Sequence, residues 1–258
     1  MFEMVELITS STLHIRNNVR ADGRTLNQLR PLTCSRNLLN RAHGSARWSQ
    51  GDTTVLAAVF GPKAGTKKGE NPEKASIEVI WKPKTGQIGR REKEYEMILR
   101  QTLQSICLLT VHPNTTTSII VQVIGDDGAL LSCAINASCV ALVDAGIPLK
   151  HLAVSICCGL TVGGHVILDP TVLEEQKLKA VLHLVFPNPP LSIHHKTQSL
   201  LKDEPIEHGI ITSVMRGVMS VPDYEHCLDR GRIACTKISE FVRRNLQSSA
   251  REGLAKAT

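Results

Sequence analysis

Residues 117–148 read TSIIVQVIGDDGALLSCAINASCVALVDAGIP, and the rest of the chain is placed against this stretch. Residues 118–124 form a short apolar run rich in β-branched side chains. Gly125-Asp126-Asp127-Gly128 breaks it with residue types that accept unusual backbone angles. The reading is a buried strand followed by a tight acidic turn. From Ala129 onward the apolar positions Leu130, Cys133, Ala134, Ala137, Val140 and Ala141 fall at helical spacing, and Gly146 with Pro148 supplies the stop. Most of that face is Ala or Cys, so the helix can lie close to a neighbour. A strand delivering such a turn to a helix N-terminus leaves free N–H groups and the positive dipole end facing outward, which suits phosphate. The same turn also occurs in α/β proteins that bind nothing there, and Asp126 and Asp127 would repel an anion unless turned away.

Outward from this unit, residues 33–39, 45–49 and 53–60 read as short strands separated by turns, and residues 75–81 as a fourth. Residues 90–109 read as a long helix with Tyr95, Leu99, Leu103, Ile106 and Leu109 on its buried stripe and Glu96–Arg100 as an exposed i,i+4 pair. Arg90 and Arg91 sit in its first turn, against the preference of the helix dipole. Downstream, residues 151–161 are almost wholly apolar, which implies a strand buried on both faces. Strands follow at 166–168, 179–186 and 210–214. Ser220-Val221-Pro222-Asp223 opens a last helix that turns Tyr224, Leu228, Gly231, Ala234, Ile238, Phe241 and Val242 inward. The sum is an α+β fold of mixed β-sheets packed with helices, a single domain over residues 1–247 with no linker or internal repeat. The small, polar composition of residues 248–258 reads as a disordered tail.

With 258 residues, 42% of them hydrophobic, the chain can fill a core, but at 3% aromatics it has few rings on which bases might stack. Eight cysteines lie mostly inside apolar runs and form no C-x-x-C pair, so buried, reduced thiols in an intracellular compartment are expected, not a disulfide framework or zinc site. The N-terminus has no apolar h-region and no apolar stretch approaches 18 residues, so no membrane partner is expected. The net charge of +6 is concentrated: residues 63–93 hold nine Lys or Arg against four Glu. Such a patch suits a polyanion, nucleic acid first, or else is a solvated surface that keeps the protein in solution. His194 and His195 are adjacent and point to different sides of an extended chain, so a solvated loop outweighs a metal site there.

The turn and helix start at Asp127-Gly128, with Ala134, Asn136 and Ala137 further on, resemble the Asp-Gly-Gly-Thr-Arg helix start of the RNase PH superfamily. Other segments match that superfamily in order. They are Arg20-Ala21-Asp22-Gly23-Arg24 with Leu29-Arg30-Pro31; Gly44-Ser45; Gly51-Asp52-Thr53-Thr54-Val55-Leu56; Gly61-Pro62; Gly89-Arg90-Arg91; and Leu168-Asp169-Pro170-Thr171 with Glu174-Glu175. The resemblance spans residues 13–246 and is similar in wording to the non-catalytic-type ring subunits of the RNA exosome. It implies an RNase PH-type domain, which is ribosomal protein S5 domain 2-like in fold. It also implies single-stranded RNA, other RNase PH-like ring subunits and RNA-binding cap proteins as partners, a possible homodimer when isolated, and work in the nucleus, nucleolus and cytoplasm.

Residue by residue, the resemblance implies RNA-phosphate contacts at Lys63, Lys67, Lys68, Lys84, Arg90 and Arg91, and a structural role for Asp22 and Arg24. It implies catalytic or metal-ligating roles for Asp169 and Glu175, although Asp169 before Pro170 also reads as a helix cap. Gly128 and Ser132 match the phosphate-binding helix start. The family's glycine, threonine and arginine there are replaced by Ala129, Leu130 and Leu131. Losing a preorganised cation at such a site costs about 10² to 10³ in rate. Three functions therefore remain open: a ring subunit that binds RNA; a nuclease using inorganic phosphate, or Mg²⁺ held by Asp169 and Glu175; and, more distantly, a basic scaffold with no RNA role.

Overall fold

The structure, a computed structural model, describes residues 20–64, 72–188 and 209–257, without the side chains of 248–257. Lys67, Lys68, His194 and His195 lie outside the described residues. One sheet contains β1 (Leu32–Arg36), β2 (Gly44–Gln50), β3 (Thr53–Ala64), β4 (Ser76–Lys82) and β5 (Thr115–Gly125) in the order β1-β2-β3-β5-β4. All its neighbours run antiparallel except β4 and β5. The second, antiparallel sheet has the order β7-β6-β8-β9, from β6 (Leu152–Leu160), β7 (Val166–Leu168), β8 (Ala180–Asn188) and β9 (Thr212–Gly217). The helices are α1 (Arg90–Ile106), α2 (Leu130–Asp144), the single-turn α3 (Val172–Glu175) and α4 (Val221–Ala257).

α2 lies between the two sheets, packed on β2 and β3 on one side and on β6 on the other. That explains its composition: every residue from Leu130 to Leu142 is buried, so only small and apolar side chains fit around the whole circumference. β2 comes close enough that a Cβ on Gly44 would sit on the Ala145 backbone nitrogen. β7 pairs only with the last three residues of β6, and the buried side chain of Asn136 satisfies part of the edge that this leaves. Its amide donates to the Ser155 carbonyl at 3.0 Å and its oxygen accepts from the Ser155 N–H at 2.8 Å. The other face of β6 packs against α4, where Gly231 meets Leu184 and Cys158. β6 is thus buried on both faces, as its apolar run predicts.

The helices differ from the sequence reading in several details. α1 stops at Ile106 with Cys107 as its cap, and Glu96 accepts the Trp81 N–H at 3.1 Å in place of the expected role beside Arg100. Thr171, not Asp169, caps α3: it forms a reciprocal capping box with Glu174. α4 opens at Val221 with Ser220 and Asp223 bonded as the capping pattern predicts, and its backbone stays helical to Ala257, into the stretch read as a tail.

Candidate functional site

Three arginines from the segment before β1 are buried: Arg20, Arg24 and Arg30. Each finds its counter-charge or a carbonyl in the loop between β7 and α3. Arg20 pairs with Glu174 and donates to the Leu168 carbonyl at 2.6 Å. Arg24 pairs with Asp22 at 2.5 Å, a local ion pair within that motif, and reaches the Asp169 carbonyl at 3.1 Å. Arg30 grips Asp169 through Nη2 to Oδ1 at 2.6 Å and Nε to Oδ2 at 3.0 Å, and its backbone N–H adds a third bond at 2.8 Å. Burial alone would lower the pKa of Arg30, but the Asp169 carboxylate more than offsets that and holds it above its ordinary value.

The same guanidinium fixes the acidic turn. Arg30 donates to the carbonyls of Asp127 at 2.5 Å and Gly128 at 3.3 Å, and pairs with the Asp127 carboxylate at 3.3 Å. Thr53 completes the tie, since its hydroxyl donates to the Gly128 carbonyl at 2.7 Å and accepts the Asp127 N–H at 3.0 Å. Gly128 has φ +85°, and a Cβ there would lie 2.5 Å from the Pro170 carbonyl oxygen, so both backbone angle and space demand glycine. Arg30 and Thr53 therefore lock the start of α2 to the loop that carries Asp169.

Beyond this lock lies a more open cleft between the starts of α1 and α2, α3 and β9. Ala129, the N-cap of α2, takes a left-handed conformation at φ 53°, and its N–H donates to Glu175 Oε1 at 2.7 Å. Burial raises the Glu175 pKa, only partly opposed by that N–H and by Arg91, whose Nη2 stands 3.9 Å from Oε2. On the floor, the Ser132 hydroxyl meets His183 Nδ1 at 3.1 Å, both residues buried. Burial, with Arg216 and Arg91 adding to it, pushes the His183 pKa down to about 3. On the wall, Arg91 and Arg216 lie over the Tyr95 ring at 5.3 and 4.9 Å from its centre.

The expected site residues separate into groups. Arg90, Arg91 and Lys84 are exposed, and Lys84 lies two residues beyond the end of β4. Lys63, exposed at the end of β3 with its Nζ 5.4 Å over Phe60, belongs to the opposite end of the sheet. Lys63 and Lys82 pair on β5 with Thr116 and Gln122, about 20 Å apart along the strand. Gly128 is buried and its N–H is engaged by Asp126 Oδ1 at 3.2 Å. Leu131 is 0% exposed and belongs to the core, so the family's arginine position holds no polar group at all.

Asp169 is also 0% exposed, with both oxygens bonded to Arg30. Glu175 is engaged by Ala129, and among the described residues no cluster of three His, Cys, Asp or Glu can hold a metal. These donors do not fit a Mg²⁺ ion held jointly by Asp169 and Glu175. Sequence reasoning missed Arg216 and His183. It placed Tyr95 only as core, and Arg30 only as one letter of a motif. The polar end of Tyr95 on an otherwise apolar helix stripe, and that of His183 in an otherwise apolar run, were the available signal.

The chain matches the family model described as "3′ exoribonuclease family, domain 1" over residues 28–148. It is 66% identical over 231 residues to the exosome complex exonuclease RRP46 homolog of Arabidopsis thaliana, covering 90% of this chain and 97% of that protein. Among solved structures it matches that of rice (Oryza sativa) Rrp46 at TM-score 0.78 and 63% identity, over 88% of this chain and all of that one. A chain of the Archaeoglobus fulgidus exosome with RNA bound to the active site matches at TM-score 0.73 and 19% identity, over 90% of this chain and 96% of that one. That last likeness is one of fold alone.

Proposed function

The chain belongs to the RNase PH family of 3′ exoribonucleases, and from that premise we propose that it is a ring subunit of the RNA exosome. It binds single-stranded RNA and passes 3′ ends to catalytic partners without robust cleavage of its own. One observation carries the second half of this reading: Leu131 is sealed in the core where the family places a phosphate-binding arginine, while Arg91 remains exposed at the same cleft. Contacts from Lys84, Arg90 and Arg91 at one end of the sheet and from Lys63 at the other, together with Lys67 and Lys68 of the same basic stretch of sequence, would meet RNA phosphates without reading sequence.

In this reading Asp169 is an anchor for Arg30, and Gly128 and Ser132 shape the helix start instead of holding inorganic phosphate. Its partners are the other RNase PH-like ring subunits and RNA-binding cap proteins. In isolation it would pair with itself, and its places of work are the nucleus, nucleolus and cytoplasm. The test is reconstitution with ring subunits of the same organism. Entry of the chain into a defined ring, with RNA affinity that falls when Arg91 is replaced by Ala, supports the reading; failure to enter any ring overturns it.

A second reading, a nuclease in its own right, draws on Glu175. A carboxyl whose pKa is raised by burial, beside Arg91, is placed to protonate a leaving oxygen. Phosphate-dependent release of nucleoside diphosphates that disappears in Glu175→Gln would favour it.

A further inference from the structure

We propose that Arg216 of β9 is a second phosphate-contact residue of this cleft, acting with Arg91 across the Tyr95 ring on the backbone of single-stranded RNA. The proposal rests on the RNA-binding reading above. None of the family-like motifs of the sequence includes Arg216, and it reaches the cleft from the other sheet. Arg216 Nη1 approaches the Tyr95 hydroxyl oxygen at 3.4 Å, and Arg91 Nε donates to the same oxygen at 3.0 Å. The two guanidiniums are thereby gathered on one aromatic ring, where the π-face and the phenol oxygen offset their mutual repulsion. Both also lie near His183 on the floor, beside the first turn of α2. Arg216 thus adds a second cation, beside Arg91, to a cleft where Leu131 supplies none.

Three carboxylates face these arginines. Glu94 bonds Arg216 at 2.9 Å, Glu175 stands 3.9 Å from Arg91, and Asp126 acts on Arg91 through space. The Arg216–Glu94 pair is solvent-accessible, with side chains 34% and 44% exposed. Such a pair is weak and screened by salt, so a phosphate can take the place of Glu94, whereas the stacking on Tyr95 persists. The arrangement is a preorganised fork whose present carboxylate partner is exchangeable.

The experiment is fluorescence anisotropy of a labelled single-stranded RNA with the full chain, titrated over salt, with a thermal melt of every variant. Arg216→Ala is expected to weaken binding roughly ten-fold and to reduce the slope of log K against log salt by about 0.7, the value of one phosphate contact on a single strand. Glu94→Gln, which leaves Arg216 in place, should tighten binding about two- to five-fold. If Arg91→Ala weakens binding while Arg216→Ala and Glu94→Gln leave both affinity and slope unchanged, the proposal is overturned and the RNA-binding reading stands. If neither arginine matters in correctly melting protein, RNA does not use this cleft, and the reading beneath the proposal falls too.

Discussion

Asp169 shows how two residues six apart in sequence acquire different fates. Its carboxylate is enclosed by Arg30, while Glu175 faces the cleft. Asp169→Ala would leave a buried guanidinium without its partner, and a loss of about 3–5 kcal/mol is expected, read as a lower denaturation midpoint with the m-value kept. A variant as stable as the parent would contradict the anchoring role. His183 gives the residue scale a pH signature. The unfolded chain takes up a proton below the ordinary histidine value of 6.5, and the folded chain only near 3. Stability therefore falls as pH drops through that window, by up to ~1.4 kcal/mol per unit. Denaturation of His183→Asn at pH 7, 6 and 5 should show a flatter slope than the parent; an equal slope would mean that His183 is not held neutral. None of this was legible in sequence, because Arg30 and His183 take their roles from groups 139 and 51 positions away. Asp22 and Arg24 were legible because they are neighbours.

Local chemistry set most of the elements. The β-branched run, the acidic turn and the Ala/Cys-rich segment became β5, the turn and α2 almost as read, and the capping pattern at Ser220 located the start of α4. What local pattern cannot show is that α2 is covered on both sides, since that depends on a second sheet formed later in the chain. Nor could it show that Asp169, read as a cap before Pro170, is claimed by Arg30, while Thr171 caps α3. Two substitutions test the α2 unit. Ala129→Gly removes a Cβ from a left-handed residue and should stabilise the fold by about 1 kcal/mol in thermal or denaturant melts, unchanged stability counting against backbone strain there. Gly44→Ala would drive a Cβ into the α2 C-terminus and should destabilise markedly, with no loss meaning that β2 and α2 pack less closely than described.

For the whole molecule, the edge strands among the described residues are β1, β4, β7 and β9, and sheet edges are usually covered or paired. At and just beyond β9, Met215, Val218 and Val221 are exposed by 47%, 73% and 71%, a group of apolar side chains that suits a ring neighbour. Val218→Asp with Val221→Asp should reduce co-assembly with other ring subunits several-fold while the melt stays within about 1 kcal/mol of the parent; undiminished assembly would place the contact elsewhere. The global architecture was legible through ordered motifs spread over the chain, whereas the cleft was not, because its wall joins α1 to a strand more than 100 residues later. The most direct test of the central claim, an RNA-binding subunit without robust cleavage of its own, is to follow a 5′-labelled single-stranded RNA with the purified chain. The reaction is run in phosphate, in Mg²⁺ without phosphate, and in neither, with binding measured on the same preparation. The account predicts RNA that is bound and remains full length in all three; phosphate-dependent shortening that Glu175→Gln abolishes would contradict it.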